Sequence, residues 1–280
     1  MNHSTHVFPS LPSQLTGQNL VSHAGLSILT NFLNALDFRR SSEDPLSQFM
    51  PATATHRPGK ILGALTLSLV AGGEQATDID QLRAAPNLFG TVASDATVSR
   101  FMKRIKKQPE AFTYGFATMT RNLRSKVWAA AGPRNPAQQA TAANPLIIDI
   151  DAPLVHVHSD KENSAGTYKG GYSFSPMIAM ADYGKAHGTG EVLAVHLRPG
   201  NKDANSAASH IKVLSQALAQ LPDDFYDENG NLCGEKILVR TDSAGSSREF
   251  LHHLDSLGIQ FSTSYSLPVI KERFIRAECG

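Results

Sequence analysis

Asp149, Asp151 and Asp242 are the residues whose type and spacing point to chemistry. They close two apolar runs, Leu146-Ile147-Ile148-Asp149-Ile150-Asp151 and Ile237-Leu238-Val239-Arg240-Thr241-Asp242-Ser243. Short runs rich in β-branched residues read as buried strands followed by turns. A carboxylate at such a position is costly to bury unless a partner or a metal takes its charge. On a strand, residues i and i+2 share a face, so Asp149 and Asp151 point one way and Ile148 and Ile150 the other. If the two strands are parallel neighbours, Asp151 and Asp242 converge on one edge of a sheet. Hard divalent ions such as Mg²⁺ use one or two carboxylates together with substrate phosphates. A pair of such ions serves phosphoryl transfer by activating the attacking oxygen and stabilising the leaving one. The plainer alternative is that these aspartates end strands, cap turns or form ion pairs, and Asp242 before Ser243-Ala244-Gly245 suits a turn.

Other residues offer weaker chemistry. His156-Val157-His158-Ser159-Asp160 matches the start of the His-x-His-x-Asp zinc motif of metallo-β-lactamase folds, and imidazoles suit zinc. Lys161 replaces the next histidine of that motif, and no later histidine segment of matching character follows. A zinc-dependent hydrolase using His156 and His158 is therefore one alternative. In Leu197-Arg198-Pro199-Gly200-Asn201-Lys202 the Pro-Gly pair makes a turn. Arg198 and Lys202 there either contact substrate phosphates near the carboxylates or are simply exposed. Gly-Lys occurs at 59–60 and 184–185 without the rest of a phosphate loop.

The elements that must position these residues fall into two textures. Helical spacing runs over 24–36 (Leu26, Leu29, Leu33, Leu36) and over 61–71, which Gly72-Gly73 stops. Residues 39–59, with Pro45, Pro51 and Pro58, read as a loop. A short helix over 78–84 precedes Pro86, Ser94-Asp95 caps a helix through Lys106, and Pro109 opens another to about Ala131. Residues 133–144, rich in Ala, Gln, Asn and Pro, read as a linker. Beyond it, strands are expected at 146–151, 172–180, 191–197, 236–241 and 259–263, with helices at 204–221 and 247–257. Strands followed by strand–helix alternation indicate an α/β domain with a mixed sheet. The expected layout is a loosely ordered 1–20, a helical domain over 21–132, the linker 133–144, and the α/β domain over 145–280.

Composition narrows the class. With 41% hydrophobic and 18% charged residues and a net charge of +1, the 280-residue chain is globular, and its overall charge predicts no partner. The charge is unevenly placed: from Ala96 to Lys126 there are eight Lys and Arg against one acid, Glu110. Arg100, Lys103, Arg104, Lys106 and Lys107 lie opposite the apolar face of a basic helix over 96–107. With the short helix before it this suggests a helix-turn-helix, although the 85–94 connection is long for one. Lysine and arginine bind nucleic-acid phosphates irrespective of sequence, whereas a charged helix face is often only solvated. The two cysteines, Cys233 and Cys279, make no disulfide framework or metal-ligand spacing. No signal peptide pattern opens the chain, and the longest apolar stretch, 61–71, falls short of the about 20 residues a bilayer needs. The expectation is a cytoplasmic protein with no membrane contact.

A family resemblance joins these pieces. Asp149-Ile150-Asp151, His156 to Glu162, Tyr168 to Pro176, Leu197 to Asn201 and Val239 to Gly245, in that order and spacing, resemble bacterial insertion-sequence transposases of the DDE type, specifically the thirteen-eighty insertion-sequence group. Val21 to Leu26 and Ser94 to Arg100 fit as well, so the resemblance covers roughly residues 20–275. It implies a ribonuclease-H-like mixed sheet with flanking helices, preceded by an all-helical N-terminal domain that binds the terminal inverted repeats. In that fold the first catalytic aspartate sits on the first strand and the second at the end of the fourth. The family pattern Asp-x-Asp-small-Thr then selects Asp151, with Asp149 supporting it, and the Arg-x-Asp-Ser segment selects Asp242. The resemblance further implies Mg²⁺ (or Mn²⁺) held by Asp151 and Asp242, DNA strand cleavage and strand transfer, and double-stranded DNA as partner, both element ends and target. It also implies a homodimer on DNA, a nucleoid-associated location, and DNA contacts from Arg100, Lys103, Arg104, Lys107, Arg198 and Lys202.

Two departures stand out. Pro153 replaces the threonine of the pattern, and the family's third carboxylate, a glutamate far beyond the second aspartate, has no counterpart, because Glu272 and Glu278 are too close to Asp242. The expectation is a C-terminally truncated transposase with an incomplete triad, either inactive or binding DNA without cutting it.

Overall fold

The computed structural model describes residues 8–9, 23–157, 162–166, 171–183, 190–202 and 206–265. The chain divides into two compact units, Met1–Val127 and Trp128–Gly280. Each has its own core.

Among its described residues the first unit holds helices and no strand. Helix α1 (Leu26–Ala35) buries Leu26, Thr30 and Leu33. Helix α2 (Phe38–Leu46) occupies sequence expected as loop. Its inward face is Phe38, Ser41, Ser42 and Leu46, helical spacing with serines at the middle positions, so hydropathy did not reveal it. Ser42 Oγ donates back to the Phe38 carbonyl at 2.7 Å, and Pro45, in the last turn, has no N–H to offer the Ser41 carbonyl. Helix α3 (Pro58–Val70) starts on proline at its first position and crosses α2 closely. A Cβ at Gly59 would sit 2.1 Å from Ser42 Oγ, so any larger residue there would displace that hydroxyl from its bond to the Phe38 carbonyl. The one-turn helices α4 (Asp80–Arg83) and α5 (Pro86–Phe89) lead into α6 (Asp95–Lys107) and the long α7 (Pro109–Ala130). Phe49, Leu67, Ile79, Leu82, Phe89 and Phe101 form the centre of the core.

The second unit is a mixed α/β structure. Residues 133–144, expected as a linker, contain the one-turn helix α8 (Pro136–Gln139), whose first free amide, Ala137 N, donates to Asn135 Oδ1 at 2.9 Å. Ala137 and Ala140 are buried in this unit's core. Small side chains leave little hydropathy signal, and their burial follows from neighbours distant in sequence.

The main sheet comprises β1 (Leu146–Asp151), β5 (Met177–Asp182), β6 (Glu191–His196), β7 (Ile237–Thr241) and β8 (Gln260–Thr263). A smaller sheet is built from β2 (Val155–Val157), β3 (Ala165–Gly166) and β4 (Tyr172–Phe174), in the order β2-β4-β3. The strand expected over 172–180 is thus two strands in two sheets. Pro176 separates them, since proline lacks the N–H that a continuous ladder requires. The main sheet runs β6-β5-β1-β7-β8, with β6, β5 and β1 antiparallel and β1, β7 and β8 parallel. Helices α9 (Ala207–Leu218) and α10 (Arg248–Ser256) carry Val213, Leu214, Phe250 and Leu254 into the core with Ile148, Ile150, Ala179 and Val239 of the strands. This five-stranded mixed sheet with flanking helices is consistent with a ribonuclease-H-like domain.

Candidate active site

The register of β1 on β7 decides the site. Leu146 pairs with Ile237, and the ladder continues in step to Ile150 beside Thr241. The next residue of each strand is an aspartate, Asp151 and Asp242. In chain order β1 and β7 are the first and fourth strands of the main sheet. Alternation sends Leu146, Ile148 and Ile150 into the core and leaves Ile147, Asp149 and Asp151 on the opposite face. On β7, Ile237 and Val239 are buried, so Arg240 and Asp242 follow the open face.

Both terminal carboxylates are exposed and held by local amides. Asp151 Oδ1 accepts from its neighbour Ala152 N at 2.7 Å. Asp242 Oδ1 accepts from Ala244 N at 2.9 Å, and the Asp242 carbonyl accepts from Gly245 N at 3.1 Å and Thr263 Oγ1 at 3.0 Å. This turn folds tightly onto its own strand: a Cβ at Gly245 would stand 2.3 Å from Thr241 Oγ1. Among the described residues neither aspartate forms an ion pair. Two open, hard oxygen donors side by side suit a divalent ion that takes its remaining ligands from phosphate and water. Among the described residues no group of three or more His, Cys, Asp or Glu is placed to hold a metal ion. The third carboxylate of a DDE set is thus not assigned, and two donors carry the fit.

Asp149, expected beside Asp151 as a supporting residue, is otherwise engaged. Arg240 lies directly opposite it in the ladder and grips it with one edge of the guanidinium: Nε donates to Oδ1 at 2.7 Å and Nη2 to Oδ2 at 2.6 Å. The same Nη2 donates to Asp182 Oδ2 of β5 at 2.6 Å. These bonds, above all to Asp149, hold the guanidinium still more firmly protonated. Sequence reasoning missed this clamp. The signal was present, because Asp149 and Arg240 share the offset that relates Asp151 to Asp242.

Arg198, expected to meet substrate phosphate, is instead 4% exposed. Its Nε donates to the Ser175 carbonyl at 2.9 Å and its Nη2 to Ser175 Oγ at 3.3 Å, and Ser175 N donates back to the Arg198 carbonyl at 3.0 Å. It ties the turn after β6 to the chain between β4 and β5. Lys202 of the same turn is exposed. Close by is a buried histidine that the sequence did not single out. His210 is 2% exposed on α9, its Nδ1 lies 3.0 Å from the Ser206 carbonyl, and its ring packs 5.1 Å from that of Phe250. Burial pushes its pKa below the usual value; the Ser206 carbonyl opposes this, Arg198 adds to it and Asp242 opposes it.

His156 lies exposed on β2, paired with Ser173, and His158 lies outside the described residues. In the first unit, α6 buries Val98 and Phe101 and exposes Arg100, Lys103, Lys106 and Lys107. Among the described residues none of these four forms an ion pair. Arg104 is half-buried and turns toward Met50, with Nη1 3.2 Å from Sδ. The acid of this helix, Asp95, is bound by Arg83 at 2.9 Å, and Arg83 also grips Asp80. The long 85–94 connection contains α5, with Phe89 fully buried. No helix among the described residues is long and apolar enough to cross a membrane.

Two comparisons with known proteins bear on this geometry. The family model described as transposase DDE domain group 1 matches residues 7–268. No curated protein matches the chain.

Proposed function

The chain belongs to the transposase DDE domain family, group 1, and from that premise we propose that it is an insertion-sequence transposase of the thirteen-eighty group, acting by metal-dependent strand cleavage and strand transfer on double-stranded DNA. The observation that carries this is the register of β1 on β7, which brings Asp151 and Asp242 to adjacent strand ends as exposed carboxylates with no ion pair among the described residues.

In this reading Asp151 and Asp242 hold Mg²⁺ or Mn²⁺. Bound there, the ions supply activation of the attacking oxygen and stabilisation of the leaving one. The protein's part is to fix two oxygen donors on rigid strands. Each donor is oriented by one backbone amide, and the other oxygen of each is left for the ligand. Lys202 stands exposed on the turn after β6 as a phosphate contact. The helical region 21–132 binds the terminal inverted repeats, with Arg100, Lys103 and Lys107 of α6 neutralising phosphates. Arg104 contributes less, being turned inward. Two ends must be processed together, so the acting form is a homodimer on DNA, associated with the nucleoid.

The test is nicking of end DNA by the purified chain with Mg²⁺ or Mn²⁺. Nicking that disappears in both Asp151→Asn and Asp242→Asn supports the enzyme; asparagine keeps each local amide contact while removing the charge. Tight end binding with no nicking by the wild-type chain marks a DNA-binding protein instead.

A further inference from the structure

The open face of the main sheet carries four aspartates near one another in the ladder: Asp149 and Asp151 on β1, Asp182 on β5 and Asp242 after β7. One cation, Arg240, takes two of them and leaves the other two. Its Nε and Nη2 both bond Asp149, and the shared Nη2 also reaches Asp182, so a single side chain bridges three adjacent strands. Asp149 lies only two residues before Asp151 on the same face, about 7 Å along the strand. A carboxylate at that distance, if free, is within reach of a cation held by Asp151.

We infer that Arg240 is a positioning residue that withdraws Asp149 from the metal site, so that this sheet edge offers two carboxylates, Asp151 and Asp242. The inference rests on the two-aspartate reading above. The side chains of Arg240, Asp149 and Asp182 remain 42%, 30% and 32% exposed, so solvent screens the attraction and its weight in stability is small. What the fork provides is direction: two parallel N–H···O bonds fix the carboxylate plane as a point charge on lysine does not.

Binding of Mn²⁺ alone to the full purified chain, read from the electron paramagnetic resonance of the free ion, tests this, with a thermal melt of every variant. Asp151→Asn and Asp242→Asn are each expected to weaken binding roughly tenfold or more, as loss of a charged ligand does. Arg240→Gln is expected to tighten it several-fold, because Asp149 becomes available. Arg240→Gln/Asp149→Asn is expected to return to the wild-type affinity. Unchanged affinity in Arg240→Gln, or tightening that survives the added Asp149→Asn, overturns the inference. If Arg240→Gln fails to fold, Asp149→Asn decides: a loss as large as that of Asp151→Asn makes Asp149 a ligand and overturns it, whereas a small change upholds it. Mn²⁺ binding that ignores Asp151→Asn and Asp242→Asn sinks the two-aspartate reading and the inference with it, an outcome seen in different variants from a failure of Arg240 alone.

Discussion

The face of α6 and the end of β1–β7 both leave charge uncompensated, with opposite signs. On α6, Arg100, Lys103, Lys106 and Lys107 have no acid partner among the described residues, while the helix's own acid is bound by Arg83. At the sheet edge, Asp151 and Asp242 have no ion-pair partner among the described residues, while Asp149, two residues before Asp151, is gripped by Arg240. In each region a neighbouring residue of the same sequence run is paired. Among the described residues the ion partners go to some charges and not to others, and the proposed function rests on the ones left over. In the proposed function the chemistry differs with the sign: the row of cations on α6 would meet a polyanion along its length, and the two carboxylates on rigid strands a compact cation.

The sharpest way to break this comparison is at the anionic end. Asp151→Asn or Asp242→Asn is expected to lower end nicking by roughly a hundredfold or more, several kcal/mol of lost transition-state stabilisation, with DNA binding retained. Equal losses of nicking and binding would place both aspartates in the fold and not in the chemistry. Next in size is a control on the scaffold. Phe250, fully buried between α10 and the sheet, is expected to cost about 3–5 kcal/mol on truncation to alanine, read by urea denaturation. A smaller loss would mean that the helix layer does not fix the sheet edge. At the cationic end, Arg100→Ala and Lys103→Ala are each expected to weaken DNA binding whatever the sequence. Each should also reduce the slope of log affinity against log salt by about 1. An unchanged slope would show a solvated helix face and no phosphate contact.

The smallest effect concerns pH. Burial holds the folded-state pKa of His210 below its unfolded value. Below the unfolded pKa of about 6.5 the unfolded chain therefore takes up a proton that the folded chain refuses. Stability is present above that pH and is lost as pH falls through the folded pKa. His210→Leu is expected to flatten the fall in the denaturation midpoint between neutral and mildly acidic pH; an unchanged profile would assign the acid sensitivity to other groups.

Much of this was legible from residue types and spacing. Short apolar runs closed by aspartate placed β1 and β7, because a buried strand of this length collects apolar residues that lie next to one another in the chain. Capping and proline signals placed α6 and α7, and the ordered fragments from Asp149 to Gly245 resemble those of the DDE transposases. Helix α2 and the packed segment 133–144 were not legible. Serines and alanines occupy their buried positions, and such side chains are recognised as core only by what packs on them.

By itself, the sequence determined the family, the alternating strands and the two aspartates that end them, since each depends on residues close together in the chain or on their order. Only the tertiary structure decided which charges remain open. Pairing depends on register, and register brings together residues about ninety positions apart: it set Asp151 beside Asp242, gave Asp149 to Arg240, and turned Arg198 inward onto Ser175.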